Sequence, residues 1–116
     1  MQIQVFLADD HGVLRQGLAL LLKAQPDMLV VGEADNGHDT VQQVRKLQPH
    51  VAVIDIAMSG LNGIEATRTI RADCPATQVV ILSMYKASEY IFRALKAGAR
   101  GYVVKEAIGD ELLEAI

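Results

Sequence analysis

The chain has 116 residues, with 14 Asp and Glu against 11 Lys and Arg, a net charge of −3 and a single cysteine. That length suits one domain with one core over residues 1–116, and a hydrophobic share of 51% excludes a disordered chain. Only 4% of residues are aromatic, none of them Trp, and no Lys/Arg block occurs, so direct nucleic-acid binding by these residues is not expected.

Cys74 has no partner for an intrachain disulfide, which favours a reducing compartment. No apolar run approaches the roughly 20 residues of a membrane span, and no basic-then-apolar leader precedes Gln2. The expectation is a cytoplasmic, soluble protein with no membrane partner.

In chain order, Ile3–Ala8 is a strand that runs into Asp9-Asp10. After His11-Gly12, apolar residues at Val13, Leu14, Leu18, Leu21 and Leu22 have helical spacing and predict one buried face, with Pro26 as the stop. Leu29-Val30-Val31 is a second strand, closed by Asn36-Gly37. Val41, Val44 and Leu47 mark the inner face of a second helix. Val51-Ala52-Val53-Ile54 is apolar without alternation, as in a strand buried on both faces, and it ends on Asp55. A glycine-rich loop, Ser59-Gly60-Leu61-Asn62-Gly63, lacks the phosphate-loop lysine and the dinucleotide fingerprint, so it reads as a turn and helix start. The third helix turns Ile64, Thr67, Ile70 and Cys74 inward and ends at Pro75.

Gln78–Leu82 is a fourth strand ending on Ser83. Tyr90, Ile91, Ala94 and Leu95 line a fourth helix, with Gly98 placed to cap its end. Gly101–Val104 is a short fifth strand ending on Lys105. A last helix begins near Ile108, with Leu112, Leu113 and Ile116 on one side, and breaks off after about two turns, short of a typical three. Five β-α alternations predict an α/β fold: a doubly wound, five-stranded parallel sheet of (βα)5 type with helices on both faces.

In a parallel sheet the carboxyl ends of the strands share one edge, where ligands gather. Asp9-Asp10, Asp55, Ser83 and Lys105 all fall at such ends and should converge. Three carboxylates suit a hard cation, best Mg²⁺, which keeps water and phosphate oxygens as its other ligands. Lys105 and the Ser83 hydroxyl are donors for a phosphoryl group, and a carboxylate can serve as a phosphoryl-accepting nucleophile. Like charges crowded without metal should raise at least one carboxyl pKa.

This set, at these strand ends and in this order, resembles the signature of response-regulator receiver domains of flavodoxin-like fold. The phrases Asp9-Asp10-His11, Val31-Gly32-Glu33-Ala34 and Gly101-Tyr102-Val103-Val104-Lys105 are similar to the NarL/FixJ (LuxR-type) subfamily. The resemblance implies Asp55 as the phosphate acceptor and Asp9-Asp10 as the Mg²⁺-holding pair, with the Ala57 backbone carbonyl as a further ligand. It implies Ser83 and Lys105 as phosphoryl-binding groups and Tyr102 as the aromatic that switches with Ser83. A sensor histidine kinase would be the partner. DNA would be reached only through a helix-turn-helix effector domain absent from this chain, as expected of a receiver cut from a longer regulator. Dimerisation on phosphorylation is left open, since Leu112, Leu113 and Ile116 could pack on the sheet or on a partner.

Three positions depart from the wider family: Ser59 and Glu106 stand where Pro is common, and Met84 beside Ser83 is bulkier than usual and expected to restrict access. The competing readings are a stand-alone receiver or vestigial interaction module, and a phosphohydrolase with an aspartyl-phosphate intermediate. The last usually needs a second Asp two residues beyond the nucleophile, where this chain has Ala57. The three histidines, 11, 38 and 50, show no ligand spacing, so His11 reads as a polar loop residue.

Overall fold

In the computed structural model, which describes residues 2–58, 60–84, 88–105 and 110–116, the alternation of the sequence becomes ten elements. They are β1 (Ile3–Ala8), α1 (Gly12–Lys23), β2 (Met28–Ala34), α2 (Gly37–Leu47), β3 (Val51–Asp55), α3 (Gly63–Asp73), β4 (Gln78–Ser83), α4 (Ser88–Lys96), β5 (Gly101–Val104) and α5 (Asp110–Ala115). Every strand pairing is parallel and the strand order is β2-β1-β3-β4-β5. Chain direction across the sheet therefore reverses between β1 and β3. A crevice opens at such a switch point, outside the carboxyl ends of the strands.

All five residues of β3 are buried, as its unbroken apolar run requires of a central strand. Its neighbours alternate the faces they serve. Val5, Leu7, Val53, Val80 and Leu82 meet Leu18, Ala19 and Leu22 of α1 and Leu112 of α5 on one side. Phe6, Ala8, Ala52, Ile54 and Ile81 meet α2, α3 and α4 on the other, through Val44, Ile70 and Ala94 among others. Leu112 is buried, and Leu113 and Ile116 pack, partly buried, against the α1–α5 core. The doubly wound expectation holds.

The structure corrects several boundaries and faces. β2 is longer than Leu29–Val31, because its ladder with β1 continues past a register slip to Ala8↔Ala34. Val13 is 86% exposed rather than inward, and Leu47 and Leu95 also face solvent. In each helix the apolar stripe is wider than the contact the sheet offers, and the flanking positions stay wet. The inner face of α3 is as expected, with Ile64, Thr67, Ile70 and Cys74 all buried. Gly98 adopts φ 112°, a left-handed conformation that glycine takes without strain, and its N–H donates to Leu95 O at 3.0 Å to close α4. The expected loop position Ser59, the helix start near Ile108 and Glu106 lie outside the described residues.

Candidate functional site

Register brings the strand-end residues together. Ala8 pairs with Ile54, so Asp9 leaves β1 beside Asp55. Asp55 pairs with Leu82, and Ser83 with Val104, so Ser83 and Lys105 each stand one step beyond a ladder pair at the same edge. Residues nearly a hundred positions apart thereby share one pocket. Asp9, Asp55 and Ser83 are buried, at 1%, 1% and 0% exposure, and the Lys105 side chain is only 11% exposed. Asp10 is partly open at 33%.

Lys105 Nζ lies 3.3 Å from Asp9 Oδ2 and 3.2 Å from Asp55 Oδ2. These are charge contacts without hydrogen-bond alignment, because both carboxylate oxygens are buried with no hydrogen-bond partner. The other oxygen of each carboxylate is engaged by backbone. His11 N–H donates to Asp9 Oδ1 at 2.8 Å, and Ala57 N–H to Asp55 Oδ1 at 3.3 Å. Arg15 braces the corner by donating to the Asp9 carbonyl at 2.6 Å while pairing with Glu33 at 3.2 Å. Two buried charged oxygens facing one spot with unmade hydrogen bonds are costly unless a further cation or donor meets them. Three carboxylates and one ammonium leave two negative charges uncancelled, the deficit a divalent ion fills.

Burial pushes the Asp55 carboxyl above its ordinary 3.8, and the charge on Asp9 adds to this; Lys105 and the Ala57 N–H pull it partly back. The direction is the one expected from the cluster, but burial is the larger cause and the like charge of Asp9 the smaller. A raised folded-state pKa means the native state binds the proton more tightly than the unfolded chain. The ionised group therefore costs stability above the folded pKa, and that cost vanishes as pH falls to the unfolded value. Asp55→Asn, free of metal, is expected to be as stable as wild type or more so at pH 7, with any advantage closing toward pH 3.8. Urea unfolding across that range tests this. A loss above about 1 kcal/mol at pH 7, a typical point-mutation cost, would contradict a strained acidic pocket.

The loop after Asp55 is held by backbone. Ile56 N–H donates to Leu82 O at 2.9 Å and Gly63 N–H to Ile56 O at 3.0 Å. Asn62 caps α3 by accepting from Glu65 N–H at 2.9 Å. Gly60 takes φ 73°, and α3 starts at Gly63 as the run predicts. Tyr102 pairs with Ile81 in the sheet and packs, half-buried, on the α2–α4 core. Met84, exposed, lines a cleft of about 580 Å³ together with His11, Val13, Leu14 and Lys105.

His11, read from spacing as a polar loop residue, lies beside the acidic cluster. His11 is the N-cap of α1, but its side chain makes no capping bond. The imidazole Nδ1 instead lies 3.2 Å from Asp9 Oδ1, 3.3 Å from Asp10 Oδ1 and 4.0 Å from Asp55 Oδ2. Asp9, Asp10, His11 and Asp55 offer donor atoms all within 4.8 Å of one another. The only sequence signal was adjacency to Asp9-Asp10.

Comparison with known proteins gives the family and the fold. The model of the response regulator receiver domain matches residues 5–116. The chain is 40% identical over 115 residues to the transcriptional regulatory protein YxjL of Bacillus subtilis, covering 99% of this chain and 53% of that protein. It is similar to the signal receiver domain of the response regulator NarL from Mycobacterium tuberculosis, with TM-score 0.94, 29% identity, and 98% and 92% of the two chains covered. A LuxR-family DNA-binding response regulator from Staphylococcus aureus superimposes with TM-score 0.91 at 30% identity, over 97% and 94% of the chains. The chain spans about half the length of the curated relatives it matches. Among the described residues, no helix is long and apolar enough to cross a membrane.

Proposed function

Because the chain belongs to the response regulator receiver domain family, we propose that it is a phosphorylation-dependent switch with Asp55 as the acceptor. The observation that carries this is the pair of buried, hydrogen-bond-free oxygens on Asp9 and Asp55 with Lys105 beside both. Asp55 Oδ1 is tied to the Ala57 N–H, which leaves Oδ2 as the oxygen available for bond formation. Its attack on the phosphorus of a phosphohistidine forms an O–P bond and breaks the P–N bond. The imidazole of the donor leaves with the electron pair and takes up a proton. Lys105 and the Ser83 hydroxyl meet the transferred phosphoryl oxygens. Asp9, Asp10, Asp55 and the Ala57 carbonyl would hold Mg²⁺, which when bound neutralises charge on the reacting oxygens.

Such a domain is regulatory. The phosphodonor is a sensor histidine kinase, and the consequence is a shift of Ser83 and Tyr102 that changes the face made by α4, β5 and α5, a two-state element biased by a charge event. The relatives are transcriptional regulators, so the output proposed is transcription through a DNA-binding domain outside this chain. Cytoplasmic placement follows from that role.

The test is intact mass after incubation with acetyl phosphate, with and without Mg²⁺. One added phosphoryl group that requires both Mg²⁺ and Asp55 is expected. A wild type that binds Mg²⁺ yet never gains mass would contradict the switch, as would a pocket with no Mg²⁺ affinity, the mark of a vestigial module.

A further inference from the structure

We propose that His11 is a fourth protein donor to the acidic pocket, and that its imidazole biases the pocket toward transition-metal ions of the nitrogen-binding class over Mg²⁺. The inference rests on the reading that this pocket takes a divalent cation, and it concerns which cation.

The first observation is where the ring goes. An N-cap side chain ordinarily turns back to its own helix, but His11 makes no such bond. Its backbone N–H is satisfied by Asp9 Oδ1 at 2.8 Å, and its ring turns toward the carboxylates. The second is independent of the ring: Asp9 and Asp55, each 1% exposed, keep buried oxygens without hydrogen bonds in the same pocket. The third is spacing. With bonds of 2.0–2.1 Å in an octahedron, neighbouring donors are about 3 Å apart and opposite donors about 4.2 Å. Nδ1 stands 3.2 Å from Asp9 Oδ1, 3.3 Å from Asp10 Oδ1 and 4.0 Å from Asp55 Oδ2, the pattern of two adjacent positions and one opposite.

Lys105 Nζ, 3.3 Å from Nδ1, shows the same nitrogen next to a cation already. An incoming ion would join the ammonium among these donors and meet the two negative charges that it leaves uncancelled. An all-oxygen set is the preference of Mg²⁺. Adding one imidazole shifts a site toward Ni²⁺ and Zn²⁺, which bind nitrogen more strongly.

The experiment uses the full chain, His11→Ala, His11→Gln and Asp55→Asn, with Mn²⁺, Ni²⁺ and Mg²⁺ as probes. Pulsed EPR of the Mn²⁺ complex is expected to show imidazole nitrogen modulation in wild type and none in either His11 variant. Calorimetry should show Ni²⁺ affinity falling about tenfold or more on His11→Ala, at least what an outer ligand partner is worth. Mg²⁺ affinity should change by less than about twofold, as suits an oxygen-preferring ion. Nitrogen modulation that persists without His11, or equal losses for both ions, would overturn the proposal. If no ion binds wild type, or Asp55→Asn binds undiminished, the acidic-pocket reading itself fails and the inference falls with it.

Discussion

Lys105→Met is expected to lose about 3 kcal/mol of stability at pH 7, the scale for removing one partner of a buried ion pair, and to recover much of it in acid. Methionine keeps the apolar stem, so the change isolates the charge. In wild type the ammonium is 11% exposed and contacts Asp9 Oδ2 and Asp55 Oδ2 at 3.3 and 3.2 Å. Without it, the two buried carboxylates lose the ammonium that stands against both and keep the backbone N–H donors of His11 and Ala57 and the nearby His11 ring. Lys105 is also what holds the Asp55 carboxyl down against burial and Asp9, so its removal raises that pKa further. A carboxyl with a raised folded pKa destabilises the native state once ionised, so the deficit opens above the unfolded value of 3.8 and grows with pH. Urea unfolding at pH 7 and near pH 4 separates charge from packing. A deficit of equal size at both pH values would contradict this account of Lys105.

Gly63→Ala is the second large effect expected. A Cβ at Gly63 would lie 2.3 Å from Asp55 O, 2.7 Å from Ile56 Cα and 2.9 Å from Asp55 C. All three are backbone atoms that no rotamer can clear. The start of α3 must then move away from the strand end it presses on, breaking the Gly63 N–H bond to Ile56 O. Overpacking of this kind costs about 3 kcal/mol, and here the displaced peptide carries Asp55. Divalent-ion affinity should fall together with stability. Gly17→Ala is the matched comparison, because a Cβ there meets nothing within 4 Å and the position is inside α1. It should stabilise by about 0.5–1 kcal/mol through helix propensity. Gly63→Ala costing less than about 1 kcal/mol would mean that the α3 start yields easily.

These two residues show what the sequence makes legible and what it hides. Lys105 was identifiable because chemistry-bearing residues at the ends of parallel strands must share an edge, whatever their separation in the chain. The same rule located Asp9, Asp10, Asp55 and Ser83, and the unbroken apolar run of β3 placed Asp55 at the centre of the sheet. Gly63 was read only as part of a turn, since the approach of α3 to the Asp55 peptide depends on the path of the intervening loop. The position of the His11 ring beside the carboxylates was not legible, because spacing rules look along one element, whereas Asp9, Asp10, His11 and Asp55 come together from the ends of β1 and β3 and a helix cap. Val13, Leu47 and Leu95 were turned inward by a periodicity that counts apolar residues without knowing the width of the contact they meet. Val13 instead lines the cleft beside Lys105.

The central claim is that one carboxylate, Asp55, accepts the phosphoryl group. An acyl phosphate is reduced by borohydride to an alcohol, which turns a phosphorylated Asp into homoserine, whereas a free carboxylate is untouched. The chain is therefore treated with acetyl phosphate and Mg²⁺, reduced, digested and mapped by peptide mass. The account predicts homoserine at position 55 and nowhere else. Homoserine at position 9 or 10, or none in a chain that has gained a phosphoryl group, would contradict it.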